Sequence, residues 1–262
     1  LLLLLRLPRR SAFDRRSWRK RLRSGDAGSA VGCAQYLYYI HHKNKRLIET
    51  NQSQRIRGNI YLGPSFTNEK IIDFLDSNDI SYEKLDVQTL LERVAKLISC
   101  ENVVGWYQGQ MEWGPRALGN RSILADPRNA KMKDILNEKV KHRESFRPFA
   151  PSILEEHVSD YFDIDIPSPY MLMVANVKQP KTIPAVTHVD GTGRLQTVSK
   201  ESNPLYYDLI NEFYKITNVP VIINTSMNVM GEPIVNTPSE AYNMFLTTDV
   251  DYLVMGYNII SK

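Results

Sequence analysis

From residue 59 onward, short apolar runs alternate with amphipathic stretches of helical period, and that alternation restricts the chain to an α/β or α+β arrangement. NIYLGPSF (59–66) reads as a strand ended by Gly63–Pro64. Thr67 then caps a helix with Ile71, Ile72, Leu75 and Ile80 on its apolar side, although Lys70 stands where a capping box wants Glu. A second helix is expected over about 86–99, with Val87, Leu90, Leu91, Val94, Ala95, Leu97 and Ile98 inward. ENVVGWYQG follows as a buried strand. Further helices are expected over 130–143, 203–218 and 238–248, and strands over 170–177 and 219–226, with DYLVMGYNII as a closing strand. No internal repeat interrupts the pattern.

One segment resists it. GWYQGQMEWGPRALGNRSILADPR (105–128) places Arg116, Arg121 and Arg128, with Asn120 and Ser122 beside them, in a stretch punctuated by Gly109, Gly114, Gly119 and Pro115. Such a loop is poorly suited to a core and well suited to an anion, because each guanidinium offers a planar fork of donors matching phosphate or carboxylate oxygens. The bland alternative is a solvated loop with surface ion pairs.

Three more clusters bear chemistry. Lys141, Arg143 and Arg147 lie within KHRESFRPFAP; in an extended backbone Lys-x-Arg puts two cations on one side, where they repel unless an anion lies between them. Cations closing a helix against its dipole are the alternative. NTSMNVMGEP (224–233) follows the apolar run VPVII, where α/β proteins tend to place ligands, and Asn224, Thr225, Ser226 and Asn228 offer neutral donors for phosphate or carbamoyl oxygens. A turn closing the strand is the plainer reading. No Gly-x-Ser-x-Gly surrounds Ser226, which argues against a serine nucleophile. THVDGTGRLQTV holds His188, Asp190 and Arg194; His-x-Asp lacks a third metal ligand. The chain contains neither GxxxxGK[ST] nor GxGxxG, so a nucleotide would be held by scattered cations.

MEWGPRALGNRSILADPR resembles the hallmark of the carbamoyltransferase family typified by nodulation protein NodU and the antibiotic-tailoring enzyme TobZ. The resemblance continues through KVKHRESFRPFAPSILEE, THVDGTGRLQTV and NTSMNVMGEPIVNTP, so it spans roughly 58–258 with four motifs in one order. Family members carry an N-terminal actin-like domain that transfers a carbamoyl group and a C-terminal YrdC-like domain that activates it. The resemblance implies a YrdC-like twisted mixed sheet flanked by helices over 58–262, with 25–57 as a remnant of the actin-like domain and a linker. Lys141 and Arg143 match a Lys-x-Arg signature of the nucleotide site, and Ser226, Asn228 and Gly231 match a second signature. Arg194 falls in the activation pocket, while His188 either holds the carbamoyl amide or is a satisfied polar residue.

The implied chemistry is activation of carbamoyl phosphate with ATP to carbamoyl adenylate, then transfer to a hydroxyl of a small-molecule acceptor. Arg116, Lys141 and Arg147 take the catalytic roles by this reading, and Arg121, Arg143, Arg194, Asn224, Ser226 and Asn228 bind nucleotide and carbamoyl phosphate. Mg²⁺ rides on the phosphates, and Fe²⁺ or a similar metal is expected only in the actin-like domain. In GDAGSAVGCAQ, Asp26 matches the last motif of that domain, or simply caps a helix; adjacent His41 and His42 cannot share a helical face. The partners implied are a small hydroxylated acceptor and either an actin-like domain or a second copy of the chain. The expectation is an O-carbamoyltransferase fragment, incomplete as an isolated chain; the rival is a nucleotide-binding or nucleic-acid-binding interaction module.

Charge bears on that rival. The net +4 conceals a tail, 1–24, with nine basic residues against one acidic, so the remainder stands at −4 and nucleic acid is disfavoured as a partner. The tail has too short an apolar run for a signal peptide, has the Arg-rich character of a transit peptide, and reads best as disordered sequence foreign to the family. No run approaches a membrane span. Cys33 and Cys100 have no paired context, implying a reducing compartment, expected to be the cytoplasm, and no structural metal.

Overall fold

The computed structural model of the chain describes residues 26–44, 60–144 and 146–262. The basic tail and nearly all of the expected linker lie outside them. Two units divide the chain, Leu1–Asn59 and Ile60–Lys262. In the first, helix α1 (Asp26–Gln35) runs into a π-helical turn, Tyr36–His41, with Tyr36, Leu37, Tyr38 and Ile40 exposed.

The second unit begins with β1 (Tyr61–Ser65) and α2 (Asn68–Ser77), whose cap Thr67 accepts from Lys70 N at 3.4 Å. After the two-residue β2 (Glu83–Lys84) comes α3 (Val87–Ser99), started by the Asp86 carboxylate accepting from Thr89 N. Its inward residues are those expected except Val87, which stands exposed in the first turn. Then follow β3 (Val104–Tyr107), β4 (Gln110–Glu112), β5 (Arg121–Ala125), the short α4 (Met132–Leu136) with its π turn Asn137–Lys141, and β6 (Ala150–Leu154). The chain continues with α5 (Val158–Tyr161), β7 (Met173–Asn176), β8 (Thr192–Val198), α6 (Pro204–Thr217), β9 (Val221–Ser226), α7 (Pro238–Thr247), β10 (Tyr252–Met255) and β11 (Asn258–Ser261). Pro204 and Pro238 occupy first helical positions, where a missing N–H costs nothing.

The expected mixed sheet flanked by helices is present. Nine strands run β2-β11-β10-β3-β5-β9-β6-β8-β7, parallel at β10–β3 and β6–β8 and antiparallel elsewhere, while β1 and β4 form a separate pair. Leu90, Val94, Ile98, Trp106, Ile123, Phe213 and Ile222 lie at the centre of the core with no exposed surface.

Three expectations need correction. The closing strand is a hairpin, β10 and β11, turned at Gly256 with φ +58°. The 130–143 helix is shorter, 132–141, and widens from α to π form after Leu136, and the 170–177 strand shrinks to four residues. Most consequentially, the arginine-rich segment is not all loop: RSILA is β5, fully buried in mid-sheet. Among the described residues no helix is long and apolar enough to cross a membrane.

The turn entering β5 is tight against α6. Gly119 has φ +105°, and an added Cβ would sit 2.3 Å from the Tyr206 ring. Trp106 Nε1 donates to the Gly119 carbonyl at 3.0 Å. Gly119→Ala is therefore expected to cost about 2–5 kcal/mol from positive-φ strain and overpacking, read as a lowered urea midpoint. An unchanged midpoint would refute this account of the turn.

Candidate functional site

The segment between β4 and β5 folds around one carboxylate. Glu112 Oε1 accepts from the backbone N–H groups of Leu118 (2.7 Å), Asn120 (2.7 Å) and Arg121 (3.2 Å) in a buried setting. Gly114, with φ +116°, precedes Pro115 and Arg116 in the same loop. The loop carbonyls of Ala117 and Leu118 thereby face a polar cluster below. Gln196 Nε2 donates to Leu118 O (2.9 Å), Ser152 Oγ donates to Gln196 Oε1 (2.7 Å), and Asn224 Nδ2 reaches Gln196 Oε1 (2.9 Å), Ser152 Oγ (3.1 Å) and Ala117 O (3.3 Å).

Above this cluster lies a cavity of about 70 Å³ where the loop, β6, β8, β9 and the 143–149 segment meet. Arg116, Arg143 and Arg194 line it, together with Ala117, Pro148, Phe149, Met171, Asn224, Thr225 and Ser226; no lining residue is acidic. Arg194 comes from β8, opposite Val174 of β7. Arg143 lies over the Phe149 ring at 4.5 Å. The Nε atoms of Arg143 and Arg194 are buried with no hydrogen-bond partner among the described residues. Burial lowers the pKa of Arg194, and the charges of Arg116 and Arg143 lower it further. Burial likewise lowers Arg143, with Arg147 adding to the effect and Glu144 opposing it. Like charges held together without a lining carboxylate are the chemistry that an anion would balance.

Lys141 is nearly buried, 4% exposed, at the end of the π turn. Its Nζ donates to Ser226 O and to Asn228 O and Oδ1, both at 2.8 Å, with Ser226 Oγ at 3.3 Å. The lysine thus ties down the end of β9 instead of lining the cavity. His142 then takes a left-handed conformation, φ 44°, so Lys141 and Arg143 do not alternate along an extended strand as expected. Burial, with Arg143 nearby, pulls the Lys141 pKa from 10.5 down to about 7.

The other expected residues divide. Ser226 lines the cavity, its hydroxyl donating to Asn228 Oδ1 at 2.7 Å. Asn224 lines it too, but its donor end is committed to the cluster below, so it does not serve the cavity as the donor anticipated. Arg147 is exposed and paired with Glu144 at 2.8 Å, away from the lining. Arg121 departs most from its expected role. Fully buried, it donates to the carbonyls of Gln108 (2.6 Å), Asn120 (2.9 Å), Gly109 (3.2 Å) and Pro64 (3.4 Å) and stacks 3.7 Å from the Tyr107 ring centroid. Its Nη donors are spent on backbone, while its Nε is buried without a partner among the described residues. Arg128 is likewise held by Asp126, Nη2 to Oδ2 at 2.6 Å.

His188 lies outside the lining. Thr192 Oγ1 gives its proton to Asp190 Oδ1 (2.7 Å) and so accepts from His188 Nδ1 (3.0 Å), leaving a buried Nε2 without a partner among the described residues. Burial lowers its pKa, which Asp190 opposes and Arg194 and Lys133 reinforce. Sequence reasoning missed Glu112, Ser152, Gln196 and Phe149. Glu112 stood inside a quoted motif, but only its three backbone partners reveal its role. Among the described residues no group of three or more His, Cys, Asp or Glu side chains is placed to hold a metal ion.

The unfolded chain keeps the Lys141 proton up to about 10.5 and the folded chain releases it near 7. The unfolded state therefore binds more protons in that window, and stability rises with pH across it. Lys141→Met is expected to flatten the rise by up to about 1.4 kcal/mol per pH unit in mid-window, read by urea unfolding at stepped pH. Equal slopes in the two proteins would show that Nζ stays protonated throughout.

Residues 95–262 match the family model described as Carbamoyltransferase C-terminus. The chain is 44% identical over 245 residues to nodulation protein NolO of Bradyrhizobium diazoefficiens, covering 90% of this chain and 43% of that one. It is 42% identical over 154 residues to 3'-hydroxymethylcephem-O-carbamoyltransferase of Amycolatopsis lactamdurans, covering 59% and 29%. A crystal structure of full-length HypF in the phosphate- and nucleotide-bound form has a TM-score of 0.45 at 21% identity, covering 65% of this chain and 25% of that one. The chain spans about two fifths of the length of curated relatives such as NolO.

Proposed function

The chain belongs to the carbamoyltransferase family, whose C-terminal domain it carries, and on that premise we propose that its arginine-lined cavity activates a carbamoyl group with ATP. The observation that carries the reading is the meeting of Arg116, Arg143 and Arg194 around one cavity with no acidic residue in its lining. Carbamoyl phosphate exposes a carboxylate oxygen only after its phosphoryl group has left, so water first releases phosphate and yields carbamate. A carbamate oxygen then attacks the α-phosphorus of ATP. The bond from that phosphorus to the bridging oxygen breaks, pyrophosphate leaves with the electron pair, and carbamoyl adenylate remains. Each step moves negative charge onto oxygens that the three guanidiniums are placed to stabilise.

A cavity of about 70 Å³ suits a carbamoyl or phosphoryl group and not a whole nucleotide. The adenosine of ATP therefore lies outside it. Mg²⁺ would sit on substrate oxygens, since the lining brings no carboxylate to it. Lys141 holds Ser226 and Asn228 at the rim and adds positive charge whenever it is protonated. Passage of the carbamoyl group to a hydroxyl of a small-molecule acceptor completes the proposed reaction of the whole protein.

A coupled assay of pyrophosphate release from ATP, with and without carbamoyl phosphate, tests the reading. Arg143→Ala and Arg194→Ala are each expected to lower the carbamoyl-dependent rate by roughly 10²–10³, the usual effect of removing one donor from developing charge. Release independent of carbamoyl phosphate, or unchanged in both variants, would overturn it.

A further inference from the structure

The sheet ends at β7, and that end is uncovered. β7 pairs with β8 so that Val174 stands opposite Arg194 and Asn176 opposite Thr192. The register continues to Val177, whose N–H donates to the Gly191 carbonyl at 2.9 Å. Such contacts alternate in an antiparallel pair, so Met173 and Ala175 bond to β8 while Val174 and Asn176 turn their N–H and C=O groups outward. Asn176 bears this out, because its carbonyl accepts from Asp163 N at 2.9 Å on the far side. Val174 has no such neighbour. Its outward N–H and C=O meet no partner among the described residues, and its side chain is 55% exposed, as is that of Leu172. Natural sheet edges are commonly blunted by lysine, proline or a bulge. MLMVAN (171–176) carries none of these.

The segment that could have covered this edge leaves it. Phe162 bridges Val177, but Asp163, Ile164, Asp165 and Ile166 then draw away and open a groove of about 400 Å³ beside Met173–Asn176. Both carboxylates are exposed, neither forms an ion pair among the described residues, and no cation lines the groove. The geometry points to a docking site for an extended basic segment of a partner polypeptide, added to the sheet as a further strand along β7. Main-chain bonds to Val174 hold such a strand, and its side chains select it. Apolar ones cover Leu172 and Val174, and cationic ones meet Asp163 and Asp165. A second copy of the chain fits less well, since pairing β7 with itself brings two more carboxylates to the same edge. None of the cavity arginines lines this groove, so the inference does not depend on the proposed function.

Calorimetric titration of the full chain with short synthetic peptides, one alternating lysine with valine and one alternating glutamate with valine, tests it. The lysine peptide is expected to bind about tenfold or more tightly than the glutamate peptide, to weaken as salt is raised, and to slow hydrogen exchange at the Val174 amide. Val174→Pro removes that amide and sets a ring on the free edge while leaving the β8 ladder intact, and is expected to abolish binding. Asp163→Asn combined with Asp165→Asn keeps side-chain size and serves if the proline variant does not fold. It is expected to erase the preference for the lysine peptide. No binding of the lysine peptide, equal binding of both, unprotected Val174, or affinities unchanged in both variants would overturn the proposal. So would a dimer in sedimentation that Val174→Pro dissociates, which would make a second copy the occupant. None of these outcomes bears on carbamoyl-dependent pyrophosphate release.

Discussion

The buried Glu112 carboxylate is the constraint on which the site depends. One oxygen accepts three backbone N–H groups from the loop that joins β4 to β5, at Leu118, Asn120 and Arg121. Three buried donors without an acceptor would each cost on the order of 1–3 kcal/mol. A loop rich in glycine and proline has no ladder of its own to supply one. With the loop held, the Ala117 and Leu118 carbonyls are fixed, Gln196 is oriented by the second of them, and Asn224 by Gln196. Polar clusters of this kind favour a single arrangement because each member is oriented by the next. Position therefore passes from one carboxylate, through the loop and Gln196, to Asn224 at the cavity.

The cations illustrate a second balance. Five of them, Lys141, Arg143, Arg147, Arg194 and Arg116, act on one another electrostatically. The fold tolerates this by treating them differently. Arg147 is neutralised at the surface by Glu144, Lys141 is surrounded by four oxygens, and Arg143 rests on Phe149. What remains unbalanced is concentrated at the cavity, where the proposed anionic substrate would restore neutrality. Arg121 shows the opposite use of the same residue type. Its two Nη groups are held by four carbonyls beside an aromatic face, and it braces the loop from within.

Local pattern made much of the fold legible. Helical period placed α3, α6 and α7 nearly to their ends, and capping residues Asp86, Asn203 and Thr237 sit where such residues stop a chain from extending backward. Pattern failed where polar residues are buried. β5 opens with an arginine and follows a glycine-rich turn, so it looked like solvent-facing loop; its burial is decided by carbonyls from residues 64, 108 and 109. β6 and β8 were hidden in the same way by Ser152, Gln196 and Thr197, which are buried through contacts distant along the chain.

The sequence by itself determined the family, the class of fold and the presence of an anion-seeking surplus of arginine, because these reside in motif order, periodicity and charge. Only the tertiary structure decided which arginines line the cavity and which meet backbone. Arg116 and Arg121 lie five residues apart in one motif, yet one lines the cavity and the other is sealed beneath it. The physical reason is that a guanidinium's role is set by which acceptors surround it, and those come from strands distant in the chain. The same holds for Asn224: either end of its amide could turn toward Gln196, and the carbonyl of a loop residue more than a hundred positions earlier helps determine that it is the nitrogen.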